Sequence, residues 1–114
     1  MSAGEYDITI EQGADWELIL TWNRDGEPVD LTDYTARMMA RRRITDSYET
    51  LSITTDDAIT LGGVAGTITI LLKAAETSAL RAGTNVYDLE LVSPSGVVTR
   101  LIEGALWIDP EVTR

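Results

Sequence analysis

Cysteine and histidine are both absent from this 114-residue sequence, and each absence removes a class of chemistry. Without cysteine there is no disulfide framework, no thiolate nucleophile and no Cys/His zinc site. Without histidine there is no Ser-His-Asp triad, no imidazole base and no histidine switch near neutral pH. Positive charge is scarce: nine Lys and Arg stand against 19 Asp and Glu, giving a net charge of −10. That balance argues against nucleic acid, whose phosphates need a cationic face, and against docking on anionic lipid. No apolar run approaches the roughly 20 residues that span a bilayer. The opening residues Met1-Ser2-Ala3-Gly4-Glu5 are polar and acidic and read as no signal peptide. Phenylalanine is missing too, so the core is expected to be aliphatic, with Trp16, Trp22, Trp107 and Tyr87 as its largest pieces.

What is present has a period of two. Trp16, Leu18, Leu20 and Trp22 alternate with Glu17, Ile19 and Thr21, which reads as a strand with one face toward a core. Tyr6, Ile8 and Ile10 alternate in a shorter strand before it. Arg24-Asp25-Gly26-Glu27-Pro28 is a turn, because Asp-Gly favours positive φ and proline cannot continue a ladder. Further strands are expected at Ala36–Arg43, Leu51–Thr54, Ala58–Leu61, Thr67–Leu72 and Val86–Val92. A Ser93-Pro94-Ser95-Gly96 hairpin leads into Val97–Ile108. Thr45–Thr50 is polar and reads as a loop. Seven or eight short strands separated by turn residues indicate a single all-β, antiparallel sandwich or barrel over 1–114, large enough to bury roughly two-thirds of its unfolded surface.

One segment breaks the alternation. Ala74–Gly83 is alanine-rich and ends on a glycine suited to terminate a helix. It is expected to be a connecting helix of two turns near 75–82, with Leu80 plugging the end of the core. Lys73 and Ala74 offer no capping oxygen, so packing must hold it.

The acids offer no metal loop. Asp25, Glu27 and Asp30 come nearest to calcium spacing, but Pro28 interrupts them and no bidentate Glu follows. They read as turn acids, and Asp56-Asp57 as a turn cap. No cofactor or small-molecule substrate is expected. Two carboxylates acting as a hydrolase would need a cleft, and nothing in the spacing selects a pair from 19. An enzyme is not expected.

The basic residues are more informative because they run against the overall charge. Arg37, Arg41, Arg42 and Arg43 fall within seven positions. Alternation places Arg37, Met39, Arg41 and Arg43 on one outward face. Two readings stand: a contact patch for a partner or a second copy, and cross-strand pairing with acids of the same sheet. Met39 on that face favours the first. Trp16 and Trp22 are in phase with Leu18 and Leu20 and read as core. Trp107, out of phase with Leu106 and Ile108, is the tryptophan expected at the rim and at an interface.

An ordered set of segments also resembles a family of small bacteriophage virion proteins. The matching pieces are Gly13–Trp22, Gly26–Met38, Gly66–Ile70, Ala75–Thr77 with Leu80 and Gly83, Tyr87–Leu91 and Thr99–Gly104. The order resembles the Ig-like domain at the N-terminus of baseplate upper proteins, and stand-alone proteins encoded among phage structural genes. That resemblance implies an Ig-like β-sandwich, assembled in the host bacterial cytoplasm into the virion at the tail, baseplate or fibre-attachment point. It implies other virion proteins as partners and no catalytic residues; further copies of the chain are expected as partners because the sequence carries both an acidic and a basic surface. The sequence departs from it at Lys73-Ala74 and in the basic stretch Arg41–Tyr48. A capsid decoration protein and a carbohydrate-binding or adhesion module are the alternatives.

Overall fold

The alternating segments become strands in the computed structural model, which describes residues 3–113. Met1 and Ser2, the first residues of the polar N-terminus, and Arg114 lie outside the described residues. The strands are β1 (Gly4–Glu5), β2 (Ile8–Glu11), β3 (Trp16–Thr21), β4 (Asn23–Arg24), β5 (Glu27–Pro28), β6 (Thr35–Arg41), β7 (Leu51–Thr54), β8 (Ile59–Leu61), β9 (Thr67–Leu72), β10 (Gly83–Val92) and β11 (Val98–Asp109). A 3-10 turn (Gly63–Ala65) precedes β9, and helix α1 (Ala74–Ser78) follows it.

Two sheets stack to make an all-β, Ig-like sandwich. The small sheet has the order β3-β9-β8, and the large one runs β11-β10-β6-β7 from one side. β1 and β2 lie one after the other along the free side of β11, with Gly4 opposite Ile102 and Ile8 opposite Leu106. They act as one interrupted edge strand, and its pairing is parallel while every other pairing is antiparallel. Counted so, eight strands build the sandwich. The Asp25-Gly26 turn adds the small β4–β5 ribbon, with both residues at positive φ as a type I′ turn requires.

The inner faces follow the period of two. Ile8 and Ile10, then Ala36, Met38 and Ala40, then Tyr87, Leu89 and Leu91, then Leu106 and Ile108 come from the large sheet. Ile59, Ile68, Ile70 and Leu72 come from the small one. Each fully buried Ile or Leu contributes roughly 1.5–3 kcal/mol. Trp16, Leu18, Leu20 and Trp22 pack against this core but remain half-buried, because β3 is an edge strand with no strand on its outer side among the described residues. Trp22 meets Tyr34 edge-on, ring centroids 6.2 Å apart, and carries the Arg24 guanidinium 5.2 Å above its ring. Trp107 is not a core residue: it stands on the outer face, 40% exposed. Leu31, outside any strand, is fully buried and donates its N–H to the Gly63 carbonyl.

The connecting helix is shorter than two turns. It ends at Ser78, with Ala79 as a right-handed cap, and Gly83 opens β10 instead of terminating the helix. The missing local cap is supplied from far away: Asp15 accepts the Ala74 N–H at 2.8 Å. Thr77, the helix residue that is buried, accepts the Gly13 N–H and donates to the Ala14 carbonyl. Gln12 donates to the Leu80 carbonyl at 2.8 Å. The turn between β2 and β3 therefore clamps the helix, and Leu80 packs half-buried against the core.

Candidate functional site

The outer face of the large sheet is where exposed side chains of different chemistry converge. β6 contributes Arg37, Met39 and Arg41, and β10 contributes Val86, Asp88 and Glu90. β11 contributes Arg100 and Glu103, and the interrupted edge strand Glu5 and Asp7. The register explains who meets whom. Arg37 lies opposite Glu90, Met39 opposite Asp88 and Arg41 opposite Val86. On the other side, Glu90 faces Arg100 and Asp88 faces Glu103.

All of these except Arg37 line an open groove of about 640 Å³. Its apolar part is Met39, Val86 and Ile44, which are 37%, 38% and 83% exposed. Five carboxylates (Glu5, Asp7, Asp88, Glu90 and Glu103) and two guanidinium groups (Arg41 and Arg100) surround it. Arg100 holds Asp88 at 3.4 Å and Glu103 at 3.2 Å. Burial pushes the Asp88 carboxyl above its ordinary value, helped by the neighbouring Glu90, and Arg100 opposes the shift only in part. The hydrogen bond that Arg100 donates to the Glu103 carboxylate, with Asp88 nearby, holds the guanidinium even more firmly protonated.

The expected basic face is only partly assembled. Arg37 is on it and pairs with Glu90 at 2.8 Å. Arg41, the last strand residue, turns toward the loop that follows, donating to the Asp46 carbonyl at 3.1 Å and lying 3.6 Å from Glu49. Arg43 lies beyond the end of β6, so strand alternation does not carry it onto the face. Arg42 points the other way and donates to the carbonyls of Arg81 and Ala82. Cross-strand pairing thus accounts for Arg37, while Met39 remains exposed beside it. Trp107 is on the same sheet face, but opposite Thr84 and Thr9, at the end away from the groove.

The candidate acid sites separate. Asp30 accepts from the Thr32 N–H and hydroxyl, at 3.0 and 2.6 Å, and these bonds hold its carboxyl below the ordinary value. Asp57 caps its own turn through the N–H groups of Thr54 and Ala58. Among the described residues, no group of three or more acids stands where it could hold a metal ion. Asp88 and Glu103 lie opposite each other, and Arg100 bridges both.

Sequence reasoning missed Arg100, Glu103 and the edge acids as members of this face. The alternation of β10, with Tyr87, Leu89 and Leu91 inward, places Asp88 and Glu90 outward. The order β2-β11-β10-β6 that brings the rest alongside is not written in any one segment. Compared with known proteins, the chain matches no family model and no curated protein sequence.

Proposed function

We propose that this chain is a non-enzymatic structural subunit of a bacteriophage particle, an adaptor in the tail, baseplate or fibre attachment. It assembles through protein–protein contacts with other virion proteins and with further copies of itself. The observation that carries a contact role is the outer sheet face, where Met39, Val86 and Ile44 stay exposed inside a ring of charge. An apolar centre with a charged rim is the anatomy of a protein interface, with the rim supplying orientation and exclusion of wrong partners. The phage setting comes from the ordered set of segments that resembles baseplate domains, from Gly13–Trp22 to Thr99–Gly104.

A hydrolase is disfavoured by the same groove. Asp88 and Glu103 share one arginine, so the pair is engaged in the ion-pair network of the sheet. The test is to band particles on a density gradient and identify their proteins by mass spectrometry. The chain is expected in the particle band at a fixed ratio to the tail proteins. Its absence from that band would sink the proposal, and enrichment with capsid proteins would move it to the head.

A further inference from the structure

We propose that β3 is a second contact surface, and that its occupant is β3 of another copy of this chain, paired antiparallel about a two-fold axis at Ile19. The inference rests on the reading of the chain as an assembling subunit, and it names the partner and the register. Three observations carry it.

The first is the edge itself. Trp22 donates to the Gly66 carbonyl at 2.9 Å, and the two residues are directly opposite by the register of β3 on β9. In an antiparallel ladder, bonded and non-bonded pairs alternate. Trp16, Leu18 and Leu20 therefore bond toward β9, and the N–H and C=O groups of Glu17, Ile19 and Thr21 point to the open side. The Leu71 N–H, opposite Glu17, bonds to Ala58 on the far side of β9, as this parity requires.

The second is the lack of protection. β8 has three residues and β7 four, and the β1–β2 edge is broken at Tyr6-Asp7. Short strands and interruptions are how sheets avoid unwanted pairing. β3 has six uninterrupted residues, no proline and no lysine, and it presents Ile19 at 59% exposure.

The third is self-complementarity. With Ile19 facing Ile19 of the second copy, Glu17 falls opposite Thr21 and Trp16 opposite Trp22. No two carboxylates meet along the strand, and the half-buried tryptophans at both ends gain cover. The three outward residues of each copy would close about six backbone hydrogen bonds. The two small sheets would join into one. A charge of −10 on each copy opposes the approach, so added salt strengthens the dimer.

The decisive variant is Ile19→Cys in a chain with no other cysteine. Bonded antiparallel pairs place their Cα atoms about 5.5 Å apart, within the range of a disulfide. Under mild oxidation the variant is expected to run as a covalent dimer on a non-reducing gel, whereas Thr60→Cys on the opposite edge stays monomeric. Ile19→Lys, checked for folding by circular dichroism, is expected to weaken dimerisation in light scattering at least tenfold. A wild-type chain that is monomeric at every concentration and salt level overturns the inference. So does a dimer that survives Ile19→Lys, or one lost instead on altering Met39. None of these outcomes removes the chain from particles, which is the separate test of the proposed function.

Discussion

The hydroxyl of Tyr87 donates to the backbone carbonyl of Tyr6, two strands away across the large sheet. Gly104 lies between them, directly opposite Tyr87 on β11. The Tyr6 carbonyl is thereby turned out of the edge ladder. The Asp7 carboxylate takes the vacated place, accepting the Ala105 N–H at 3.0 Å. One phenol thus explains why the N-terminal edge is two strands and not one.

Removing that hydroxyl with Tyr87→Phe is expected to cost about 1–2 kcal/mol, the usual result of leaving a polar group without its partner. Burial, with Tyr6 and Asp7 nearby, pushes the Tyr87 phenol well above its ordinary value. The folded state therefore keeps its proton where the unfolded chain gives it up, and stability falls as pH rises above about 10. Thermal melts should show that alkaline loss in the wild type and a shallower one in Tyr87→Phe. Hydrogen exchange should quicken over 4–11 in the variant.

Gly104→Ala tests the same junction from the other side. A Cβ there would sit 2.5 Å from the Tyr6 carbonyl oxygen and 2.9 Å from the Asp7 carboxylate. Backbone must shift to admit it, and a loss of about 1–3 kcal/mol in denaturant melts is expected, as for other overpacked sites.

The strands and their inward faces were legible because the period of two is local. Ala36, Met38 and Ala40 alternate within one segment, and so do Tyr87, Leu89 and Leu91. What could not be read was anything set by sheet order. Trp16 and Trp22 share the inward phase of Leu18 and Leu20, but an edge strand leaves them half-covered. Leu31 is buried by the 3-10 turn, which no periodicity announces. Lys73 and Ala74 offer no capping oxygen, which predicts a helix held by packing alone, whereas Asp15 accepts the Ala74 N–H from another turn. On the candidate face, Arg37 and Met39 followed from alternation, but Arg43 was lost because β6 stops at Arg41.

Arg42 and Gly83 form a second coupled pair. The guanidinium occupies the space that a side chain at 83 would need, and Gly83 also holds φ at 129°. Gly83→Ala should therefore be destabilising, and less so when Arg42→Ala has already emptied the space. A double-mutant cycle in denaturant melts is expected to show a coupling of about 0.5–3 kcal/mol. Strictly additive effects would mean that the backbone angle alone sets the requirement.

Asp88→Asn should stabilise the protein at about pH 7. The folded state holds this carboxyl above its ordinary value, so it binds the proton more tightly than the unfolded chain does. Stability on this account falls as pH rises between the ordinary value of 3.8 and the raised one, and stays lowered above it. The advantage of Asn in thermal melts should accordingly be present near neutrality and vanish below the carboxylate range. An Asn variant that is less stable at neutrality would show that the Arg100 ion pair outweighs burial.

The most direct test of the contact role is competition for places in the particle. Met39→Lys replaces the apolar centre of the face while setting an ammonium beside Asp88, its cross-strand neighbour, so the fold is kept. Wild-type and variant chains would be co-expressed during particle assembly, and their ratio in purified particles read by quantitative mass spectrometry. The expected result is incorporation of the wild type with the variant reduced at least about tenfold, the effect of losing one well-placed interface side chain. Equal incorporation of both chains, or absence of both from the particle, would contradict the account.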